Sequence, residues 1–213
     1  MQVIAYLVVA LAGYLLGSIP TGYLVAKAKG IDIRTVGSGN IGATNAFRVL
    51  GNTAGTAVLL ADGLKGYAAC AWLCDALLRL LEVPSAEVET HRIVAGIAAV
   101  LGHNYTCWLR FKGGKGIATT AGVYFALAPL AVSIAIGAWI VLFLTTRFVS
   151  IASLAAAVAL PTAVWFTMKG SVFLGVVTTA LGLLAIFKHK ANIQRLIAGT
   201  ESRVQFKKKD DSK

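Results

Sequence analysis

Small and polar side chains gather in three short stretches of the sequence, the first of which runs from Gly37 to Arg48. Its glycines let the backbone approach a ligand closely, while Ser38, Asn40 and Asn45 offer neutral polar groups. Arg48 ends the stretch with a planar guanidinium that suits bidentate binding of phosphate. A turn before a capped helix would explain one glycine and one polar residue, but not the whole group. The stretch therefore indicates a phosphate-binding loop.

The second stretch contains His103 and, further on, the basic run Lys112-Gly113-Gly114-Lys115-Gly116. Glycines directly before a helix start expose successive amide groups, and the helix dipole favours an anion there. The run lacks the Gly-x-x-x-x-Gly-Lys-Ser/Thr pattern of P-loop nucleotide hydrolases. A flexible basic connector is the simpler alternative. We interpret the run as an anion site that does not hydrolyse nucleotides.

The third stretch begins at His189, which shares one helical face with Asn192 and Leu196 at i, i+3 and i+7. His189 and Asn192 can thus point at the same ligand, although a histidine at a helix end is also explained by the helix dipole. Ser150 and Ser153 lie one turn apart at the start of a predicted span. Each could contact the ligand or bond the preceding carbonyl, and the sequence does not choose between the two serines.

The elements that carry these stretches follow from the composition of the 213-residue chain. It is 57% hydrophobic and only 14% charged, with a mean hydropathy of +0.76, whereas a soluble domain carries about a quarter charged residues. Long apolar runs separate the charged segments, which is typical of an all-α integral membrane protein. The net charge of +11 then belongs to loops beside a lipid bilayer, and we expect no nucleic-acid partner.

Five apolar runs are clear candidates for spanning helices, since about 20 residues cross a bilayer. They are Val3–Ala26, Gly55–Leu78, Ile93–Leu109, Phe148–Met168 and Val172–Phe187. The remaining run, Ile117–Thr146, is either one long tilted span or two shorter spans broken near Pro129.

Charge separates these two interpretations, because cytoplasmic loops carry an excess of Lys and Arg. With residues 27–48 inside, a double crossing of 117–146 places sixteen of the twenty Lys and Arg inside, three outside and Lys65 within a span. A single crossing instead places Arg147 and the basic C-terminal segment outside. We therefore predict seven transmembrane helices, with the N-terminus outside and the C-terminus cytoplasmic. The crossing at 117–128 is short and is predicted to be tilted, distorted or partly re-entrant.

The chain is predicted to form one membrane domain over residues 1–206, followed by a charged disordered tail at 207–213. Asp62 and Lys65, three residues apart in the second span, are expected to form a buried ion pair that orients helices. The cysteines lack the spacing of a metal site, and the inside loops lack a carboxylate cluster. We expect no metal and no other cofactor.

Taken together, the three stretches resemble the PlsY family, the acyl-phosphate:glycerol-3-phosphate acyltransferases of bacterial membranes. The resemblance covers essentially the whole chain in order and spacing. It implies a seven-helix bundle in the bacterial cytoplasmic (inner) membrane, with the active site facing the cytoplasm. It also implies the reaction, in which acyl phosphate and glycerol 3-phosphate give 1-acyl-glycerol 3-phosphate and phosphate, the first committed step of phospholipid synthesis.

The same resemblance implies roles for individual residues. Those that carry the reaction are Ser38, Arg48, Lys115, His189 and Asn192. Those that bind substrate phosphate are Asn40, Asn45, His103, Lys112, Gly113, Gly114, Gly116, Ser150 and Ser153, with Glu201 in support. The partners it implies are acyl phosphate, glycerol 3-phosphate and the lipid bilayer, with an acyl-phosphate-producing enzyme as a candidate protein partner.

The proton of the glycerol hydroxyl has two candidate acceptors, a histidine acting alone or a phosphate oxygen of the substrate. None of the three histidines is followed by an aspartate five residues later, so the His-x-x-x-x-Asp dyad of other acyltransferases is absent. We favour the phosphate oxygen. Two other classes are a metal-dependent phosphatidyl transferase and a transporter or binding protein for a phosphorylated metabolite.

Overall fold

The computed structural model describes residues 2–204, and helices joined by short loops dominate that part of the chain. The predicted tail at 207–213 lies outside the described residues. A π-helical turn, Ala69–Leu73, joins α4 to α5 in one continuous rod. The helices are α1 Gln2–Ser18, α2 Thr21–Lys27, α3 Ala43–Leu50, α4 Asn52–Ala68, α5 Cys74–Leu80, α6 Val88–Asn104, α7 Ile117–Leu127, α8 Pro129–Thr146, α9 Val149–Thr167, α10 Val172–Lys188 and α11 Lys190–Ile197.

The run from Ile117 to Thr146 is two helices, as the break near Pro129 predicted. Helix α7 ends at Leu127, and Ala128 leaves the helical conformation with φ −147° and ψ 70°. Pro129 then starts α8, a position where its missing N–H costs no hydrogen bond.

The predicted span Ile93–Leu109 was wrong in its bounds. Helix α6 begins five residues earlier, at Val88, and ends at Asn104. His91, a polar residue, is accommodated in the helix because its ring stacks on Tyr6 of α1, with centroids 3.8 Å apart. The apolar residues after Asn104 instead form a turn and a short 3₁₀ helix, Cys107–Leu109.

The first predicted span is interrupted at Ile19 and Pro20, between α1 and α2. Pro20 has no N–H and interrupts the helical hydrogen-bond pattern, and at this break the Ile19 carbonyl accepts from the Thr21 amide at 3.0 Å. Lys65 Nζ donates to the Ile19 carbonyl at 2.8 Å and pairs with Asp62 Oδ1 at 2.8 Å. Thr21 Oγ1 donates to the same Asp62 oxygen at 3.0 Å. The predicted ion pair exists, and it also satisfies the broken span.

Within residues 2–204, helix length and hydropathy identify four helical segments that could cross a bilayer, and a fifth if α10 and α11 count as one span bent by 54°. The four are Gln2–Lys27, Asn52–Leu80, Pro129–Thr146 and Val149–Thr167. Helix α6 has 17 residues and α7 only 11, which are short for a full crossing. The chain is thus a multi-pass membrane protein, and the count of seven crossings stays a prediction.

Close helix contacts in the bundle depend on glycine. A side chain at Gly17 of α1 would clash with the backbone of Ala99 in α6, and one at Gly66 of α4 would clash with Thr119 in α7. Long apolar side chains lie instead on the outer surface, where Leu7 is 65% exposed. Small residues inside and large apolar residues outside are the arrangement expected of helices packed in lipid. The pairs α1–α6 and α4–α7 are thereby held together.

Candidate functional site

A cavity of about 1360 Å³ opens within the bundle, larger than the roughly 300–1,000 Å³ of most small-molecule sites. All three predicted stretches reach it. Its polar part is lined by Ser38, Asn40, Asn45, Arg48, His103, Lys115, Gly116, Ser150, Ser153, His189, Asn192, Arg195 and Glu201. Of the predicted site residues, Lys112, Gly113 and Gly114 do not line it.

Asn45 organises the first stretch from inside. Its side chain is 1% exposed, and its Nδ2 donates to the carbonyls of Ile33 and Val36 at 3.2 and 3.1 Å. Its Oδ1 accepts from the Ser38 amide at 2.8 Å. Because both ends of this amide are already used, Asn45 is a residue that shapes the loop, and it leaves Ser38 at the cavity wall.

Gly37 is the position where this loop tolerates no side chain. Its φ is +61°, and a Cβ there would collide with Asn45 Oδ1. Gly30 has a similar φ of +73° with nothing within 4 Å. We expect Gly30→Ala to cost about 1–2 kcal/mol of left-handed strain, and Gly37→Ala to cost clearly more because it also displaces Asn45. Thermal unfolding of the purified protein measures both, and equal losses would show that the Asn45 contact is unimportant.

Arg48 lies in the last turn of α3, with its side chain exposed at the cavity. Within residues 2–204 it forms no ion pair. Asn40 Oδ1 accepts from the Gly42 amide at 2.9 Å, just before that helix begins. The guanidinium therefore remains available for an anionic ligand.

The amides of Gly113 and Gly114, predicted to bind phosphate, are already paired in the structure. Gly113 N donates to the Asn104 carbonyl at 3.2 Å, and Gly114 N donates to the His103 carbonyl at 3.0 Å. These bonds fold the stretch back onto the end of α6. The free amides are those in the first turn of α7, because the N–H groups of a first helical turn have no helical partners. The helical hydrogen bonds of α7 begin with Thr120 N, which donates to the Gly116 carbonyl.

Lys115 joins the second stretch to the third. Its Nζ donates to Asn192 Oδ1 at 2.5 Å. Asn192 Nδ2 donates in turn to Glu201 Oε1, and Arg195 Nε donates to Glu201 Oε2, each at 2.7 Å. These hydrogen bonds lower the pKa of the Glu201 carboxyl against the opposing effect of burial. Glu201 therefore orients Asn192 and Arg195 toward the cavity.

Burial and nearby positive charges make Lys115 an unusual lysine. Its pKa is lowered to about 8, chiefly by burial and also by the charges of Arg195, Arg48 and Lys188, against the opposing effect of Glu201. These cations repel one another because too few carboxylates lie nearby to balance their charge. An anionic ligand bound between them would relieve that repulsion.

His189 is a neutral imidazole with a defined tautomer. Its Nδ1 lies 2.7 Å from the Ala185 carbonyl, which can only accept, so Nδ1 carries the hydrogen. Burial, and then the charge of Lys115, lower its pKa to about 4. Nε2 is thus left as a hydrogen-bond acceptor, which suits a hydroxyl group better than a phosphate oxygen.

The two serines at the start of α9 differ in their partners. Ser153 Oγ accepts from Trp139 Nε1 at 3.3 Å. Ser150 Oγ is buried next to the Glu201 carboxylate, whose pKa it helps to lower, but it makes no hydrogen bond of regular geometry among the described residues. Because a buried hydroxyl with so poor a partner is costly, Ser150 is the better candidate for a ligand contact.

His103 lies beneath the second stretch, 5% exposed, where a side chain at Gly114 would clash with its ring. Its Nδ1 is 3.5 Å from Asp62 Oδ1. Asp62, Lys65 and His103 therefore form a polar cluster, and Asp62 and His103 line the cavity. The cluster connects the broken first span to the loop that carries Lys115.

The remainder of the cavity is an apolar groove between α4, α7, α8 and α9. Its walls include Leu60, Leu64, Phe125, Ile136 and Trp139. The groove is continuous with the cationic part, so one cavity can hold a phosphate group and a long apolar chain together.

Two residues of this site were missing from the predicted set. Arg195 lies in the third stretch, and its i, i+3 spacing from Asn192 on one helix could have indicated that both side chains face the same ligand. Asp62 was assigned only to helix packing, although an ion inside a membrane is also a sign of function. The apolar groove has no local signal, because its walls come from four separate helices.

Comparison with known proteins identifies related chains. The family model described as "Glycerol-3-phosphate acyltransferase" matches residues 7–199. The glycerol-3-phosphate acyltransferase of Geobacter metallireducens is 51% identical over 201 residues, covering 92% of this chain and 96% of the relative. That of Geotalea daltonii is 45% identical over 197 residues, with the same coverage of both chains.

Two solved structures share the fold. Crystal structures of PlsY, an integral membrane glycerol 3-phosphate acyltransferase, match in a glycerol 3-phosphate form and a lysophosphatidic acid form. Their TM-scores are 0.83 and 0.80, at 37% and 36% sequence identity. Both comparisons cover 94% of this chain, and they cover 96% and 95% of the PlsY chains.

Proposed function

The chain belongs to the glycerol-3-phosphate acyltransferase family, and on that basis we propose that it acylates the 1-position of glycerol 3-phosphate with acyl phosphate as donor. The products are lysophosphatidic acid and inorganic phosphate. The observation that carries the proposal is the cavity of about 1360 Å³, whose cationic part continues into an apolar groove. Both proposed substrates are phosphorylated, and one of them also carries a fatty chain.

The proposed substrate contacts follow from the groups that keep donors available at the cavity. Arg48, Lys115 and the first-turn amides of α7 bind phosphate, because charge-assisted hydrogen bonds are the strongest available. Ser38 and Ser150 add neutral donors. Asn40, Asn45, Gly113, Gly114 and Gly116 shape the backbone around these groups. Lys112 lies outside this cavity.

The proton acceptor we propose is a phosphate oxygen of the substrate. His189 Nε2 accepts a hydrogen bond and orients the glycerol hydroxyl, but a group with a pKa of about 4 removes a proton poorly at neutral pH. A phosphate monoester has a second pKa of about 6, closer to the working pH. The hydroxyl oxygen attacks the acyl carbon and forms the ester bond while its proton passes to that phosphate oxygen. The bond from the acyl carbon to the donor's phosphate oxygen breaks, and inorganic phosphate leaves with its negative charge held near Lys115.

The membrane arrangement we propose has seven crossings, with the N-terminus outside and the active site and C-terminus at the cytoplasmic face of the bacterial inner membrane. Charge supports this, since the Lys and Arg concentrate at the loops beside the cavity. Helices α6 and α7 complete the count as short crossings, because α6 packs along α1 of the 26-residue span Gln2–Lys27 and α7 packs along α4 of the 29-residue span Asn52–Leu80.

The proposal is tested with purified protein in lipid and radiolabelled glycerol 3-phosphate. We expect the label to become soluble in organic solvent with acyl phosphate, and not with acyl-CoA, at equal rates with and without EDTA. Use of acyl-CoA alone would overturn the donor, and loss of turnover in EDTA would indicate a metal-dependent transferase. Flux of label across proteoliposomes without a lipid product would instead support a transporter.

The pKa of Lys115 predicts a pH dependence. Because this pKa is lowered to about 8, the ammonium form that binds phosphate is present below that pH and is lost as pH rises through it. We expect kcat/KM for glycerol 3-phosphate, which reports ionisations of the free enzyme, to fall above about pH 8. Lys115→Arg, which cannot deprotonate in this range, should move the fall to higher pH. An unchanged fall in this variant would assign it to another group.

A further inference from the structure

A second cavity, of about 480 Å³, lies apart from the active site and shares no lining residue with it. Tyr23 of α2 and Leu109 form its apolar surface, together with the aromatic ring of Trp108. The remaining walls are basic: Arg34, Arg110 and Lys112. Lys112, which does not reach the active site, therefore belongs to this basic pocket.

The basic pocket carries excess positive charge. Arg34 stacks over the Tyr23 ring, 4.9 Å from its centroid, and is held by two hydrogen bonds to Asp32. Arg110 and Lys112 are exposed and form no ion pair within the described part of the chain. Two cations thus remain for an anionic ligand, next to an aromatic surface.

The turn that carries these cations is strained. Arg110 and Phe111 are consecutive non-glycine residues in the left-handed region, with φ of 53° and 59°. Hydrogen bonds from Phe111 N to Thr106 O and from Lys112 N to Leu109 O hold the turn, at 2.9 and 3.1 Å. Strained backbone of this kind clusters at ligand sites. Here it leaves Trp108 65% and Phe111 62% exposed.

From these features we infer that the basic pocket binds the phosphate-bearing headgroup of an anionic phospholipid in the surrounding bilayer. The pocket lies between Tyr23 of α2 and the turn that follows α6, and Trp108 and Tyr23 are of the residue types enriched at lipid headgroups. Cations at that level attract anionic lipid. Arg110 and Lys112 hold the headgroup phosphate, while Trp108 and Phe111 contact its glycerol and upper acyl chains. The inference does not depend on which acyl donor the enzyme uses.

Fluorescence quenching tests it directly. The full chain is placed in phosphatidylcholine nanodiscs containing bromine-labelled phosphatidylglycerol or bromine-labelled phosphatidylcholine, and Trp108→Phe identifies the signal of Trp108. We expect phosphatidylglycerol to quench Trp108 at a lower mole fraction, by about 5-fold per cation. Arg110→Asn with Lys112→Gln should abolish this preference, and Asn is chosen because it tolerates the left-handed conformation.

The matched control removes two cations from the opposite end of the bundle, Arg79→Gln with Lys169→Gln, and should keep the preference. The inference would be overturned if both lipids quenched Trp108 equally, or if the control variant lost the preference for phosphatidylglycerol to the same extent. Displacement of labelled phosphatidylglycerol by inorganic phosphate would also overturn it, since the ligand would then be a soluble anion. Unchanged gel-filtration profiles show that each variant remains folded.

Discussion

Lys115→Gln is expected to lower kcat/KM by about 10²–10³-fold, the loss seen when one preorganised donor is removed from a transition-state site. We expect this large loss because of where Lys115 lies. Lys115 is the cation that connects the second and third stretches through Asn192, and it lies half-buried two residues before α7 begins, where a developing negative charge would be stabilised. Initial rates with acyl phosphate and glycerol 3-phosphate measure the effect.

Lys190→Gln is the matched control. Lys190 carries the same charge near the same end of the bundle, but it lies outside the cavity with its Nζ over the Phe187 ring. We expect a change of less than about two-fold, because surface charges contribute little. If the two variants lost activity equally, the effect would reflect general electrostatics and not a cation at the reacting groups.

Asp62→Asn should give the largest loss of stability. Asp62 is 2% and Lys65 7% exposed, so removing the carboxylate leaves a buried ammonium with no counter-charge and with only neutral acceptors, such as the Ile19 carbonyl. Breaking a buried pair in this way costs about 3–5 kcal/mol. The double variant Asp62→Asn with Lys65→Met should recover part of the loss, because it removes the unpaired charge. Denaturant unfolding in mixed micelles measures the free energies.

The Asp75–Arg92 pair provides the comparison, because its side chains are 30% and 35% exposed. Asp75→Asn should cost about 1 kcal/mol or less. An equal loss for both aspartates, or a double variant no more stable than Asp62→Asn, would show that burial of the Asp62–Lys65 pair is unimportant.

Much of the site was predictable because its chemistry is local in the sequence. Glycines, amides and cations at fixed spacing indicated phosphate binding, and the structure brings Arg48, Lys115 and His189 to one cavity. The break at Pro129 was equally visible, since proline cannot continue a helix. These features depend on residue type and near neighbours alone.

The hydrogen-bond partners were not predictable, because they depend on how distant segments fold together. The sequence suggested that the amides of Gly113 and Gly114 are free donors, but this stretch folds back so that carbonyl groups at the end of α6 accept from both. Asn45 resembled a ligand contact, yet it holds its own loop. Asp62 and His103 lie 41 residues apart in sequence and within 3.5 Å in space. Only tertiary structure distinguishes these shaping residues from those left free for substrate.

Photolabelling tests most directly whether one cavity holds both the phosphate and the acyl chain. A non-hydrolysable acyl phosphate analogue, with a diazirine in its chain, is irradiated with the protein and the modified peptides are identified by mass spectrometry. We predict labels on the groove residues Leu60, Phe125, Ile136 and Trp139, with loss of these labels in Lys115→Gln at the same analogue concentration. Labels confined to outer surfaces such as Leu7 of α1, or unaffected by Lys115→Gln, would contradict the account.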